Sequence, residues 1–282
     1  MNNMKTRILA LVAVMAFSFT FATSLMAKGI KGNGKITTKT IHLSNFNEVN
    51  LGNISTFSFS KLFSMRGNYT NSPKLIYRQS SEASLKLRTD ENIIPYINVK
   101  VQSGVLSIST DKDIEVYPTE IKIYASSTSL SKVNVGGGSE FEIEGKFNSP
   151  SLSVNISGGG DFDSEDLISV KDANFNISGG GDMDIKNLSC GSVTANVSGG
   201  GDADIKGEAK YAEFKVSGGG DLDADELIAE EVTAKVSGGG DIKVYASKRL
   251  NASASGGGDI YYKGNPEVES STSGGGDVHK VK

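Results

Sequence analysis

Through the second half of the chain, apolar and polar residues alternate in short runs that stop at three glycines and resume after an acid. Leu152, Val154 and Ile156 lead into one such corner, Ala173, Phe175 and Ile177 into the next, and Val193, Ala195 and Val197 into a third. The series continues with Ala212, Phe214 and Val216, then Val232, Ala234 and Val236, then Leu250, Ala252 and Ala254. Successive side chains of a strand point to opposite faces, so a period of two sets one face against a core and the other in water. After each corner the alternation restarts. Phe162, Met183, Ala203, Leu222, Ile242 and Ile260 point inward, and acids such as Asp161 and Asp163 point outward.

The corners themselves recur. Triplets begin at Gly136, Gly158, Gly179, Gly199, Gly218, Gly238, Gly256 and Gly274, at intervals of 22, 21, 20, 19, 20, 18 and 18 residues. A near-constant period makes the repeat the organising unit of the chain. One copy holds two or three short strands, too few to bury its own inward face. Stacked copies bury it, because each strand pairs with its equivalent in the next coil. The pattern predicts an all-β, single-domain parallel β-solenoid, a β-helix with about 20 residues per coil. Parallel crossovers strongly favour the right hand, so the solenoid is expected to be right-handed. Eight coils at the strand spacing of about 4.8 Å make a rod on the order of 35–40 Å long. A propeller is the rival architecture, but its blades need roughly 40 residues and aromatic signatures, and this chain has no Trp.

Residues 34–133 lack the triplets yet keep the alternation, as in "KITTKTIHL", "SLKLRT", "YINVKVQSGVLSIST" and "EIKIYAS". They read as earlier, less regular coils of the same domain, with 134–282 as the triplet coils. The segment from Asn53 to Lys74 reads as a protruding loop or hairpin, whose Phe57, Phe59 and Phe63 either pack locally or meet a ligand. Residues 1–27 stand apart. Lys5 and Arg7 precede the apolar run Ile8 to Ala22, the layout of a secretory signal peptide, with cleavage expected after Ala27 and a mature chain of 28–282. The competing reading, a retained anchor, needs roughly 20 apolar residues; this run has 15. The expectation is an exported protein, periplasmic or extracellular at the cell surface, without membrane insertion after cleavage.

Charge and reactive groups narrow the function. The net charge is −4, and removing Lys5 and Arg7 with the leader makes it −6, so no nucleic-acid partner is expected. Cys190 is the only cysteine, which excludes an intramolecular disulfide framework and reads as a small buried or corner residue. His42 and His279, the only histidines, have no partners at metal-ligand spacing. The glycines Gly158, Gly179, Gly199, Gly218, Gly238, Gly256 and Gly274 carry two readings. Either a tight corner is repeated by duplication, since Gly alone adopts positive φ without penalty, or the triplets leave a strip of bare backbone where another chain or a glycan lies close. Phosphate binding does not fit, because an acid and another strand follow each triplet rather than a Lys or a helix.

The acids form two outward columns. Asp161, Asp182, Asp202 and Asp221, continued by Asp241, Asp259 and Asp277, make the first; Asp163, Asp184, Asp204 and Asp223 make the second. Carboxylates about 4.8 Å apart repel by roughly 0.9 kcal/mol in water. An exposed face tolerates that, yet it is also a reason for a cation between coils. Ca²⁺, an oxygen-seeking ion, is the candidate, with the eight acids Asp161 to Asp223 of the two columns as its ligands; no other cofactor is expected. Paired carboxylates also serve glycoside hydrolysis, but a catalytic site is singular and these acids recur in every coil. Only Arg249 follows Arg88, which leaves no basic cluster for acidic sugars. No residue is expected to be catalytic.

At this point several stretches together resemble a known family. The "F-x-x-V" of Phe46 to Val49, "VQSGVLSI" at 101–108, "IKIYASSTSLSKVNVGGGSEFE" at 121–142, the serial "SGGGD" copies and "YYKGNPEVESSTSGGGDV" at 261–278 are similar to the head GIN domain family (DUF2807, putative auto-transporter adhesin). The resemblance covers nearly the whole mature chain. It implies a right-handed β-solenoid of an exported bacterial protein in a surface or periplasmic setting, and it supplies no catalytic residues. The leading expectation is therefore an exported, non-enzymatic adhesion or binding module at the bacterial cell envelope, with a glycan or an envelope protein as partner. Two alternatives stand beside it: a self-associating structural envelope protein, and a polysaccharide-active enzyme.

Overall fold

Each alternating run is a strand, and most strands lie parallel to their counterparts one repeat away. In a computed structural model that describes residues 28–54, 72–111 and 113–282, the first strands are β1 (Lys28–Lys31), β2 (Ile36–His42), β3 (Glu48–Asn53), β4 (Lys74–Gln79), β5 (Ser84–Asp90), β6 (Ile97–Gln102), β7 (Val105–Thr110), β8 (Ile114–Tyr117) and β9 (Ile121–Ser127). The repeat region follows as β10 (Lys132–Val135), β11 (Glu140–Ile143), β12 (Phe147–Gly158), β13 (Asp161–Ser164), β14 (Ile168–Gly179), β15 (Met183–Gly199) and β16 (Ala203–Val216). It ends with β17 (Leu222–Val236), β18 (Ile242–Gly256), β19 (Ile260–Lys263), β20 (Glu267–Gly274) and β21 (Val278–Lys280). The expected leader, and Phe57, Phe59 and Phe63 of the expected loop, lie outside the described residues.

From β10 onward the chain is a β-solenoid. About seven turns of about 20 residues are stacked, and the register is exact in kind: Phe175 sits on Ala195, Asn176 on Asn196 and Gly179 on Gly199. The shrinking repeat interval is absorbed between corners, where the register shifts between Ile185 and Leu188 and again between Asp204 and Gly207. Inward side chains form continuous columns that are almost wholly buried. One column runs Phe175, Ala195, Phe214, Ala234, so a large ring alternates with a methyl and the layers interdigitate at the density of a protein interior. Nearer the start, Phe141 and Phe162 stack with ring centroids 5.7 Å apart.

The region 34–133 departs from pure coil stacking. β3 and β4 form a coil directly under β10 and β11, and β7 and β9 form another under β3 and β4. The coil that comes later in sequence therefore lies lower in the rod. Below it the strands run antiparallel, β6 on β7 and β5 on β9, with β2 on β5. The β6–β7 hairpin turns on Ser103 and Gly104, both at positive φ, as a two-residue hairpin requires. These strands hydrogen-bond the lower edge of the solenoid, which would otherwise present a row of open donors and acceptors. Buried Asp90 fastens this floor, accepting the backbone N–H of Gly34 at 2.6 Å and of Thr119 at 2.7 Å. Burial alone would raise its carboxyl; those N–H bonds hold it below its ordinary value instead. At the other end, all eight residues of β20 are exposed, and Ser270 and Thr272 stand where Ala252 and Ala254 stand one coil below.

Candidate functional site

The corner explains two of its three glycines by contact alone. From Gly179 on, a Cβ on the first glycine of a triplet would overlap the carbonyl oxygen of the first glycine one coil back, as Gly199 would with Gly179 and Gly218 with Gly199. The third behaves alike: Gly201 lies against the carbonyl of Gly181, and Gly220 against that of Gly201. Gly158, Gly179, Gly199 and Gly274 also hold positive φ, where a side chain is strained. The same stacking places Gly238 on Gly218 and Gly256 on Gly238. Every first glycine marked in the sequence as a candidate contact thus has a steric reason to be glycine.

From the second triplet on, the middle glycine has none. At Gly180, Gly200, Gly219, Gly239 and Gly257, and at Gly138, the third glycine of its triplet but in register with Gly159, an added Cβ meets nothing within 4 Å, and at Gly159 and Gly275 only an ordinary contact. All eight are exposed, and none has a φ in the left-handed region. They form one bare column along the corner. Sequence reasoning treated the triplet as a unit and so did not separate this column; the signal was that a corner does not need three glycines.

The first acid column is tied into the backbone. Asp161 accepts the N–H of Asp182 at 3.1 Å, Asp182 that of Asp202 at 3.0 Å, and Asp202 that of Asp221 at 2.8 Å. The ladder continues through Asp221, Asp241 and Asp259. A hydrogen bond to a charged group contributes about 1.5–3 kcal/mol, more than the roughly 0.9 kcal/mol of repulsion between neighbouring carboxylates. Between Asp161 and Asp221, then, attraction outweighs repulsion without an ion.

From Asp184 to Asp223 the second column is charge-paired by lysines. Lys186 lies 2.5 Å from Asp184 and 3.8 Å from Asp204, and Lys206 3.8 Å from Asp204. Lys243 lies 2.9 Å from Asp223. These ammonium groups supply positive charge where a cation between coils was the expectation. Among the described residues no group of three or more His, Cys, Asp or Glu side chains is placed to hold a metal ion. Between the columns runs an open groove of about 380 Å³, lined by Asp163, Asp182, Asp184, Asp202, Asp204, Asp221 and Asp223, with Met183 and Ala203 beneath and Lys243 at one side. Burial pushes the Asp163 carboxyl up to about 6; Glu140 adds to the shift and Lys74 opposes it. Asp204 is raised as well, chiefly by burial.

On the other side of the corner the outward face carries an amide ladder that the sequence reading missed. Asn134 donates to Asn50, Asn155 to Asn134 at 2.9 Å, Asn176 to Asn155 at 3.1 Å and Asn196 to Asn176 at 3.0 Å. The signal was "NIS", "NIS" and "NVS" before successive triplets. Beside it, Ser157, Ser178 and Ser198 each donate to a carbonyl one coil back. Cys190 is half-buried, and burial, with the charge of Asp172, pushes its thiol up to about 12, which suits a structural residue.

A family model described as "Putative auto-transporter adhesin, head GIN domain" matches residues 69–266. The chain belongs to this family. Solved structures agree. A putative lipid binding protein of Parabacteroides distasonis is 26% identical, with a TM-score of 0.81 over 90% of this chain and 100% of that one. A putative adhesin of the same organism is 25% identical, with a TM-score of 0.79 over 90% and 100%. A putative adhesin of Parabacteroides merdae is 25% identical, with a TM-score of 0.80 over 91% and 100%. No curated protein matches the chain. The head GIN domain family and these neighbours carry names of binding proteins rather than of enzymes. Among the described residues, no helix is long and apolar enough to cross a membrane.

Proposed function

We propose that this chain is an exported, non-enzymatic adhesion or binding module of the bacterial cell envelope, with the corner of the solenoid as its contact face. The observation that carries the reading is the column of eight exposed glycines in register with Gly159, six of which face open space where a side chain would fit. Steric need does not account for them. A bare backbone strip lets a partner approach to main-chain distance, which any side chain would prevent. Export is supported by the basic residues and apolar run at the start of the chain. A non-enzymatic role is supported by the acids, which repeat from coil to coil and are engaged by backbone N–H groups and lysines.

The test is capture by the purified chain from three arms: a glycan array, envelope extracts, and lipid vesicles, the last because one structural neighbour is described as lipid-binding. Specific capture that is lost when Gly180, Gly200 and Gly219 are replaced by Gln supports the reading. Capture that survives those substitutions places the contact elsewhere and overturns the glycine face.

Self-association is the second reading, favoured by β20, whose eight residues are exposed along an edge strand. Sedimentation separates the two: a concentration-dependent larger species supports assembly, and a strict monomer that binds a partner removes it.

A further inference from the structure

Three consecutive coils carry no charge in two outward rows, the longest such run in those rows. Two rows run side by side before the corner: Ser153, Asn174 and Thr194 in one, and Asn155, Asn176 and Asn196 in the other, each residue in register with its neighbour above. None is charged. The next residues toward the corner are serines, followed by the glycine column. Charge returns around most of it: Lys132 pairs with Ser153 below, Glu213 and Lys215 pair with Thr194 and Asn196 above, and Asp161, Asp182 and Asp202 begin beyond the corner, while the amide row alone continues down to Asn134 and Asn50. The window is about 10 Å along the rod and about 20 Å along the strands.

Its hydrogen-bonding capacity is only partly used. Asn155 and Asn176 each commit one N–H and one oxygen lone pair to their neighbours and Asn196 one N–H, and a primary amide has two N–H groups and two lone pairs. Among the described residues, the side chains of Ser153, Asn174 and Thr194 have no hydrogen-bond partner within the protein. The window therefore offers donors and acceptors in alternation, without charge and without an aromatic or Arg anchor. Protein partners are held by such anchors in a desolvated centre, and an anionic headgroup or polyuronate would find no counter-charge here. A hydroxyl, donor and acceptor at once, matches amides and hydroxyls.

We infer that this window, on coils spanning residues 147–200, binds an uncharged oligosaccharide, with Asn174, Thr194 and the Asn155–Asn176–Asn196 ladder as its contacts. The inference rests on the reading of the chain as a binding module and names the ligand class and the coils that take it.

The experiment is isothermal titration of the purified full chain with short gluco-, manno- and N-acetylglucosamine oligomers, with polygalacturonate and anionic phosphatidylglycerol vesicles as charged arms. The variants are Asn174→Glu and Thr194→Lys, exposed or half-exposed strand positions whose outward charge leaves the core and the amide ladder in place, and Asp184→Asn in the acid groove as a control. Binding of a neutral oligomer that weakens about tenfold or more in both window variants, and is unchanged in Asp184→Asn, supports the inference. Neutral binding that ignores the window variants overturns it and leaves the binding module standing, as does binding of only a charged arm. If nothing binds in any arm, or in envelope extracts, both fall. Unchanged melting curves for the variants exclude misfolding as the cause of a loss.

Discussion

At the residue scale, one corner contains two kinds of glycine, and they should respond oppositely to a methyl group. Gly200→Ala puts a Cβ into open space at ordinary φ, so the expected result is a melting temperature equal to or slightly above that of the parent. The gain is about 0.4–1 kcal/mol through a less flexible unfolded chain. Gly201→Ala drives a Cβ into the carbonyl of Gly181, a clash with backbone that no rotamer relieves, and should cost about 3 kcal/mol or more. Chemical denaturation of the two variants reads both signs. Asp163 offers a second residue-scale test. Its carboxyl titrates near 6 in the folded chain against an ordinary value of 3.8, so the folded state holds the proton more tightly. Stability from this group is greatest below about pH 4, falls as pH rises through 6, and stays lost above it. Asp163→Asn should be more stable than the parent at pH 7, with the advantage gone near pH 4. Equal stability of the two proteins across that range would contradict the assignment.

Much of this level could be read from the chain alone, and the reason for the remainder is specific. That Phe162 faces inward and Asp161 outward follows from alternation, which needs no knowledge of partners. What the Asp161 carboxylate does depends on the N–H of Asp182, 21 residues away, and only the stacking register brings the two together. The columns looked like chemistry on offer because their consumers, backbone N–H groups and lysines of adjacent coils, are invisible until the coils are stacked.

At the scale of the element, the alternation of ring and methyl in one column sets the cost of losing a ring. Phe214 is 1% exposed, between Ala195 and Ala234. Neither alanine can extend into the space a smaller residue would leave. Phe214→Ala should therefore fall at the upper end of the 3–5 kcal/mol typical of such changes, measured by denaturant midpoint. The antiparallel strands β2, β5 and β6 were the part of the fold not legible in advance. Period-two alternation is identical for parallel and antiparallel neighbours, so "SLKLRT" reads as another coil strand when it is in fact β5, running against β9. The Ser103–Gly104 turn was the one local sign of a reversal.

For the whole molecule, stability rests on stacked backbone and apolar columns, with the charge of the first acid row held by N–H groups and that of the second offset by lysines from Asp184 on. Addition of Ca²⁺ should leave the melting temperature where it was; a rise that grows with ion concentration would show binding to the native state and restore the ion to the acid groove.

The out-of-order coils at the base have a mechanical meaning. Pulled from its C-terminal end, the rod can give up its triplet coils singly, each releasing roughly 60–75 Å of chain. That sequence stops once β10 and β11 are gone, because the next strand on the line, β9, lies under β4 and over β5. It cannot leave without parting two neighbours at once. Under tension the molecule should behave as a compliant tether on a knotless anchor: a series of small regular force drops, then one larger event in which residues 28–127 yield together.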